Sequence, residues 1–481
     1  MKKILSLLSI VTFCSLMLVS CNKEYTITVQ SNNDAWGTVT GGGTYANGST
    51  ATLTAVPASG YYFNTWNDGN TDNPRVITVS GNATYIATFS DNPGGGGTGD
   101  PQSLTGTIDA NRTLPDLGLP IDYIVESWVS LEGNACLTIE PGVTIAFATV
   151  GGEILVGENA GLKMVGTPDK HIVLRGPSTS TGVGSWTGVT YTSVRTDNQM
   201  AYVDFINGGH EDAVVNINGG KVAMDNCTID GSATNGVLAG GSRDCFYSFS
   251  NNTIRRCQQY PIQLGEMMLV NQIGTGNVFE SNTNNYVNVN YLYVEENQEV
   301  TFSNISIPYY LSDGLFVPNN AKFIVNAGAT ILMAMNSTMY IAEQGYFQIN
   351  GTVDNPVIIR GLEDEPAYWL GISFRSDRNN HGGNYIRNAR IEGCGGSSDL
   401  PALNLEYDFD INLENVAFGS TTWGIGLTVP SEWNDDTETY DLQWDELNMS
   451  ATGLTFQCDL GEVFDYGTQT VYDASNLPTS H

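Results

Sequence analysis

The stretch Asn226-Cys227-Thr228-Ile229 decides the fold: an Asn, a small or β-branched residue, and then an apolar residue. The same shape returns at Asn252-Thr253-Ile254, Asn277-Val278-Phe279 and Asn304-Ile305-Ser306-Ile307, so the asparagines recur at nearly even intervals. Asn415-Val416-Ala417-Phe418 repeats the shape later. A period of about 25 residues predicts units that cannot close a core alone and must stack on their neighbours.

One coil of three short strands and three turns fits this period. Asn suits a tight turn because it tolerates left-handed backbone and bonds to local backbone groups, and stacked asparagines can bond one another along the axis. Residues 104–481 are rich in short β-type runs and show no convincing amphipathic helix. The pattern resembles the right-handed parallel β-helix of the pectate-lyase-like superfamily. We therefore predict an all-β fold, a β-helix of roughly 15 coils.

A longer repeat overlies the coil period. The blocks at about 121–210 and 307–395 align, so that Tyr123 matches Tyr309 near the start of each block. The matched positions include two arginines and two tryptophans: Arg175 and Arg360, Trp186 and Trp369. Because these residues repeat with the scaffold, we predict structural roles for them.

The pattern of the first twenty residues predicts a signal peptide. Two lysines precede an apolar run that ends at Val19. The sequence Leu18-Val19-Ser20-Cys21 resembles the lipobox of bacterial lipoproteins, in which the signal is cut before an acylated Cys. The resemblance implies a lipid anchor on Cys21, and several acyl chains give stable anchoring. Asn22, in place of the Asp that often retains lipoproteins at the inner membrane, favours the outer membrane.

A small β module is predicted at 21–90, before a Gly-rich linker at 91–103. The segments Gly37-Thr38-Val39, Gly60-Tyr61-Tyr62-Phe63 and Asn82-Ala83-Thr84-Tyr85 resemble the divergent InlB B-repeat family. The resemblance implies a β-grasp-like unit that serves as a spacer or interaction module. The aromatic residues of this module fit a sugar platform or a small core, and we favour the core.

Charge and cysteine content narrow the function classes. The chain has 51 acidic and 19 basic residues, a net charge of −32. Nucleic-acid binding is disfavoured because phosphate recognition needs clustered Lys and Arg. Six cysteines follow the first module and contain no Cys-x-x-Cys pair, so we predict mostly buried thiols with no zinc or redox site. These six are Cys136, Cys227, Cys245, Cys257, Cys394 and Cys458.

The sequence contains no complete catalytic constellation. It has no Gly-x-Ser-x-Gly elbow, no His-Glu-x-x-His helix and no phosphate-binding loop that ends in Lys-Ser or Lys-Thr. The best lyase-like cluster is Arg375, Arg378 and His381, for which we favour a solvated loop. The alternative function, a polysaccharide lyase or glycoside hydrolase, is supported mainly by resemblance of fold.

The most distinctive local feature is an acidic and aromatic segment at 432–446, which contains seven carboxylates and no Lys or Arg. Exposed aromatics can stack on sugars or anchor a protein. Carboxylate oxygens can bind Ca²⁺, the one cofactor considered. The candidate ligand-binding residues are Trp433, Tyr440 and Trp444, and the candidate metal ligands are Asp435, Asp436, Glu438 and Asp441. A solvated acidic loop that covers the last coil and metal-assisted catalysis stay open as alternatives.

These features together predict a lipid-anchored cell-envelope protein. We expect a non-catalytic binding or adhesion scaffold for a glycan or protein partner, held at the outer membrane through Cys21. A cofactor other than Ca²⁺ and a nucleic-acid partner are not expected.

Overall fold

The computed structural model describes residues 23–58, 61–90, 100–177, 182–374, 379–395, 400–405 and 409–480, with the side chains of 379–381 left out. The predicted signal peptide, Cys21 and most of the predicted linker lie outside these residues. The chain divides into two compact units, Met1–Gly96 and Gly97–His481. Each unit is described by itself below.

The first unit is a small β module with two sheets. Its strands are β1 Glu24–Ser31, β2 Gly37–Thr40, β3 Gly43–Ala46, β4 Thr50–Pro57, β5 Tyr62–Trp66, β6 Arg75–Thr78 and β7 Ala83–Ser90. One sheet has the order β3-β1-β7-β5, and the other has the order β2-β4-β6. Trp66 and Phe89 are fully buried, and Phe63 packs against both rings. Phe63 and Trp66 therefore belong to the core of the module, which is the role that the sequence analysis favoured over a sugar platform.

The second unit begins with a long series of short strands. These are β8 Gln102–Ser103, β9 Gly106–Ile108, β10 Arg112–Leu114, β11 Tyr123–Val125, β12 Trp128–Leu131, β13 Cys136–Ile139, β14 Thr144–Phe147, β15 Glu153–Val156, β16 Gly161–Val165, β17 Ile172–Arg175, β18 Gly188–Tyr191, β19 Gln199–Ala201, β20 Val203–Gly208, β21 Ala213–Asn218, β22 Val222–Asp225, β23 Thr228–Ser232, β24 Asn235–Gly240, β25 Phe246–Ser250, β26 Thr253–Cys257, β27 Ile262–Leu264 and β28 Val278–Glu280.

The later strands include three long ones that bend around corners of the coil. The set is β29 Val287–Val289, β30 Glu299–Phe302, β31 Tyr309–Leu311, β32 Leu315–Val317, β33 Lys322–Asn326, β34 Thr330–Met333, β35 Met339–Ile341, β36 Tyr346–Asn350, β37 Val357–Gly361, β38 Ile372–Phe374, β39 Asn379–Glu392, β40 Pro401–Leu405, β41 Phe409–Leu427, β42 Ser431–Asn434, β43 Thr439–Leu442, β44 Met449–Thr452, β45 Thr455–Asp465 and β46 Thr470–Tyr472. Within the described ranges, three 3₁₀ helices cover Met267–Gln272, Trp444–Glu446 and Ala474–Asn476. Among the described residues, no helix is long and apolar enough to cross a membrane.

Successive strands of the second unit pair in parallel with the strand one coil away, which confirms the predicted parallel β-helix. We call three stacks sheets 1, 2 and 3; sheet 1 runs from β8 through β11 and β14 to β28, and sheet 3 from β10 through β13 to β25. Sheet 2 starts at β9 and continues through β12, β27, β29, β31 and β34 to β45. Within the described residues sheet 2 stacks fourteen strands, close to the predicted number of coils.

Buried and exposed side chains alternate along each strand, and the buried ones fill one continuous core. In β12, Val129 and Leu131 are fully buried, whereas Trp128 is exposed on the outer face. This period of two is expected because successive side chains of a strand point to opposite faces.

The two sequence blocks do not occupy equivalent sheets. Strand β11 lies in sheet 1, whereas its counterpart in the second block, β31, pairs with β29 and lies in sheet 2. The second block is therefore displaced by one sheet around the coil axis. The sequence alignment detected the duplication but not this displacement, because an alignment of two sequence blocks does not show which sheet each strand joins.

The paired tryptophans are scaffold residues, as predicted. Trp186 and Trp369 are both fully buried. Each indole N–H donates to a backbone carbonyl at 2.9 Å, that of Ile206 for Trp186 and that of Glu392 for Trp369. The same anchor thus serves both blocks.

Stacked asparagines connect neighbouring coils in the first half. Asn252 Oδ1 accepts the backbone N–H of Cys227 at 2.9 Å, and Asn277 Oδ1 accepts the N–H of Asn252 at 3.0 Å. Asn252 Nδ2 also donates to Met224 O at 2.9 Å. These side chains are buried, so their bonds replace hydrogen bonds to water. The predicted bonding of asparagines along the axis is confirmed here.

The register corrects the sequence alignment of these asparagines by one residue. Because Thr228 pairs with Thr253, Asn226 matches Asn251, and Cys227 matches Asn252. Asn226 and Asn251 both have φ 56°, the left-handed turn predicted for Asn. The sequence motif therefore treated two adjacent positions of the coil as one. The first position lies in the turn, and the second lies in the buried ladder.

The two outlying members of the motif do not belong to this ladder. Asn304 is exposed and lies before β31, away from Asn277. Asn415 adopts φ 52° and donates through Nδ2 to Asn388 Oδ1 at 3.1 Å on a different turn. The prediction that Asn304 continues the series was wrong, because the coil after Asn277 follows a different path.

The six cysteines after the first module are free thiols. Cys227, Cys245, Cys257 and Cys394 are buried, as predicted, whereas Cys136 and Cys458 are partly exposed. Burial raises the pKa of Cys227, Cys245 and Cys257 to about 12, so these thiols stay protonated at neutral pH.

Replacing Asn252 tests the contribution of the buried ladder. We expect Asn252→Ala to lower the free energy of unfolding by about 2–3 kcal/mol, because the Cys227 N–H and the Met224 carbonyl lose their buried partner. Urea denaturation followed by circular dichroism measures the change. Asn159→Ala, at an exposed asparagine, serves as control and should change stability by less than about 0.5 kcal/mol. Equal effects of the two substitutions would contradict the ladder.

A histidine–carboxylate pair on sheet 1 makes stability depend on pH. His171 Nδ1 lies 3.0 Å from Asp204 Oδ2, and this hydrogen bond raises the pKa of His171 above 6.5 despite the opposing effect of burial. The protonated histidine therefore stabilises the fold below pH 6.5, and this contribution disappears as pH rises through the higher folded pKa.

We expect His171→Gln to lower the free energy of unfolding by up to about 1 kcal/mol at pH 5.5 and by clearly less at pH 9. Denaturant titrations at the two pH values measure the difference. His210→Gln, at an exposed histidine, is the control. A larger effect of His171→Gln at the higher pH would refute the assignment.

Candidate functional site

The acidic and aromatic segment forms a β-hairpin. Strands β42 and β43 pair antiparallel, with Trp433 opposite Tyr440 and Glu432 opposite Asp441. The hairpin is an insertion between β41 and β44 of the β-helix, and its two strands form a separate sheet. We call Ser431–Leu442 the acidic hairpin.

Hydrogen bonds of the Asn434 side chain hold the tip of the acidic hairpin. Asn434 Oδ1 accepts the backbone N–H of Asp436 at 3.0 Å and that of Thr437 at 3.3 Å. Glu438 then reverses the chain with φ 55°. Asn434 Nδ2 donates to the Asp441 carboxylate, which ties the two strands together. The tip is thus held by local side-chain bonds, as is common for Asn in turns.

Two large aromatic rings stand exposed on the acidic hairpin. Trp433 is 53 % exposed and Tyr440 is 63 % exposed. Their ring centroids are 5.1 Å apart with an interplanar angle of 72°, and Trp433 Nε1 donates to Asp435 Oδ1 at 2.8 Å. This edge-to-face contact is a favoured aromatic geometry, and it holds the pair in a defined orientation.

An open polar pocket of about 450 Å³ is lined in part by Trp433. Carboxylate and amide groups line most of it, so it offers many hydrogen-bond acceptors. Its lining residues are Glu432, Trp433, Asn434, Asp435, Asp436, Asp441 and Gln443.

Trp444 does not join the other two predicted ligand-binding aromatics. It lies in the 3₁₀ helix Trp444–Glu446, packs against the core of the β-helix and contacts Tyr472 with ring centroids 5.1 Å apart. The sequence grouped it with Trp433 and Tyr440 because the three are close in the chain. The structure instead makes Trp444 part of the cover at the end of the β-helix, the role that the alternative interpretation gave to the whole segment.

The predicted Ca²⁺ ligands Asp435, Asp436, Glu438 and Asp441 lie on the tip and second strand of the acidic hairpin. Asp435 accepts from Trp433 and Asp441 accepts from Asn434, so two of the four carboxylates already have protein partners. In the part of the chain that the structure describes, no group of three or more His, Cys, Asp or Glu residues could hold a metal ion. The four residues therefore do not form a preorganised Ca²⁺ site.

The weak catalytic candidates cannot be placed in a site. Arg375 and Arg378 lie outside the described residues, and so does the side chain of His381, whose backbone belongs to β39. The lipidation candidate Cys21 also lies outside the described residues.

Sequence reasoning missed a second group of aromatic side chains, which comes from separate coils. Tyr260 and Tyr286 have ring centroids 5.6 Å apart, and those of Tyr286 and Tyr310 are 5.3 Å apart. The available signal was the even spacing of these three tyrosines along the chain, which matches the coil period.

Comparison with known proteins identifies one part of the chain. The family model of the divergent InlB B-repeat domain matches residues 27–93. No curated protein and no solved structure matches the chain. The matched segment corresponds to the small β module and confirms the resemblance seen in the sequence of that module.

Proposed function

We propose that this protein is a lipid-anchored protein of the bacterial outer membrane that uses its β-helix as a non-catalytic binding scaffold for a glycan or protein partner. The observation that carries the proposal is the acidic hairpin, which exposes Trp433 and Tyr440 and has an open polar pocket lined in part by Trp433. Exposed aromatic rings cost free energy in water, and they serve well as anchors for sugars and proteins.

The chemistry of the acidic hairpin selects among partners. Its carboxylates accept hydrogen bonds from sugar hydroxyls or from cationic side chains, and its aromatic rings offer apolar faces. A net charge of −32 repels polyanions. Neutral glycans and basic protein surfaces are therefore the partners that fit best.

The anchoring part of the proposal is supported by the sequence at the amino terminus. Leu18-Val19-Ser20-Cys21 resembles a lipobox, and a basic and then apolar segment precedes it. Binding scaffolds on cell surfaces need a stable attachment, which acylation of a terminal Cys supplies.

Trp433→Ala combined with Tyr440→Ala tests the acidic hairpin. We expect the double variant, as full-length chain in detergent, to lose at least about tenfold in affinity for at least one partner found on a glycan array or a peptide array. The melting temperature should stay within about 2 °C of wild type, since both rings are exposed. Trp128→Ala, at another exposed tryptophan, is the matched control. Unchanged binding of every array partner in the double variant, or turnover of a bound glycan by wild type, would contradict the proposal.

Acylation is tested by substitution of the predicted attachment residue. We expect metabolic labelling with an alkyne-tagged fatty acid to modify the wild-type chain and to fail in Cys21→Ala, because no other thiol follows the signal directly. Membrane fractionation should then move the variant out of the outer-membrane fraction. Equal labelling of the two proteins would exclude Cys21 as the anchor.

A further inference from the structure

Three tyrosines on neighbouring coils form a row along the outside of sheet 2. Tyr260 precedes β27, Tyr286 precedes β29, and Tyr310 lies within β31. Tyr309 and Leu311, which flank Tyr310, are buried in the core, so Tyr310 faces outward. Each ring contacts the next, with centroids 5.6 and 5.3 Å apart, close to the spacing between coils.

A loop at 362–368 adds a fourth tyrosine, Tyr368, which lies near enough to Tyr286 and Tyr310 to contribute to the raised pKa of each. The Asn336 backbone N–H donates to the Tyr368 carbonyl at 2.9 Å, which draws the loop towards an earlier coil. A Cβ on Gly361 would lie 2.8 Å from Tyr368 Cδ1, so glycine at this position lets the ring pack against the backbone. Leu332, an outward residue one coil after Tyr310, is only 3 % exposed. We call Tyr260, Tyr286, Tyr310 and Tyr368 the tyrosine groove.

A buried amide oxygen lacks a partner within the tyrosine groove. Asn288 lies between two core residues, Val287 and Val289, and therefore points outward; it pairs in register with Tyr310 and follows Tyr286 by two positions. Asn288 is 6 % exposed, and its Oδ1 accepts no hydrogen bond. A buried acceptor without a donor costs about 1–3 kcal/mol, so a ligand hydroxyl that reaches Oδ1 gains a bond that the free protein lacks.

The tyrosine groove is not a product of the repeated scaffold. Trp186 and Trp369 recur in both sequence blocks, whereas the first block has Ile124 in place of Tyr310 and Ser185 in place of Tyr368. Tyr310 and Tyr368 occur in the second block alone, so the shared scaffold does not account for them.

The electrostatics of the groove favour an uncharged ligand. Burial, with smaller contributions from the neighbouring tyrosines and Glu363, raises the pKa of Tyr286 to about 12, so its hydroxyl is neutral near pH 7. Asp313 and Glu363 are the acidic residues whose charges act on these tyrosines, along with Glu365 at Tyr368. An anionic ligand would be repelled there, whereas a neutral sugar meets aromatic faces and hydrogen-bonding groups.

We propose that the tyrosine groove binds a neutral oligosaccharide, with sugar rings against Tyr260, Tyr286 and Tyr310 and a sugar hydroxyl on Asn288 Oδ1. This inference rests on the proposed binding function of the β-helix and assigns to it a second, glycan-binding site on sheet 2, separate from the acidic hairpin. The ligand is assigned as a glycan because the groove presents one tyrosine ring per coil, which matches the repeating sugar rings of an oligosaccharide.

Calorimetric titration of the full-length chain in detergent tests the tyrosine groove. The probes are cellohexaose, maltohexaose, xylohexaose and mannohexaose, with hexagalacturonate as the acidic comparison. We expect at least one neutral probe to bind and Tyr286→Ala to weaken that binding about tenfold or more. Tyr293→Ala is the matched control, since Tyr293 belongs to another outer aromatic row, with Phe316 at 5.3 Å, and should leave binding unchanged.

Asn288→Leu separates a binding role from a structural one. Leucine has a similar size and no unpaired oxygen, so we expect unchanged or higher thermal stability together with weaker oligosaccharide binding. If Asn288 has only a structural role, Asn288→Leu should lower the melting temperature and leave the affinity for the oligosaccharide unchanged.

The outcomes distinguish this inference from the proposed function. Binding that is lost in Tyr286→Ala and kept in the Trp433→Ala, Tyr440→Ala double variant supports the groove. Binding that is lost in the hairpin variant alone overturns the groove and leaves the proposed function standing. The inference also falls if none of the neutral probes binds or if hexagalacturonate binds best.

Discussion

The structure depends on one constraint: each strand of a coil must donate and accept backbone hydrogen bonds with the coils on both sides. A short strand such as β29 has no stability by itself, and it gains its order from β27 and β31. Side chains reinforce this stacking where turns would leave buried backbone groups unpaired. Asn252 does so for Cys227 and Met224. Because the interior is closed by these repeating bonds, the variable outer surface is free to carry recognition.

The stacking was predictable from the sequence, since short repeated motifs reveal the coil period. It did not predict the exact register: Asn226 and Asn252 look alike in the chain, yet one belongs to the turn and the other to the buried ladder. It also did not predict that β31 lies in sheet 2 although its counterpart β11 lies in sheet 1. The first detail was missed because asparagine occupies either of two adjacent positions in coils of equal length. The second was missed because an alignment of two sequence blocks does not show which sheet each strand joins.

Site residues were predictable where they are neighbours in the chain. Trp433 and Tyr440 are brought together by a hairpin, a local structure, whereas Trp444 lies beyond that hairpin and packs on Tyr472. The tyrosine groove was missed because its members come from several coils and include Tyr368 from a loop. Long-range placement of this kind follows from the stacking of coils and not from any local motif.

Distances between coils test the central claim most directly. Ser130, Gln263 and Gln457 occupy one outward column of sheet 2, linked strand by strand in register. Spin labels carried by unnatural amino acids at these positions allow pulsed electron resonance measurements. Stacking predicts about 24 Å for the pair Ser130 and Gln263, five coils apart, and about 58 Å for Ser130 and Gln457, twelve coils apart. Similar distances for the two pairs would contradict a single axis of stacked coils.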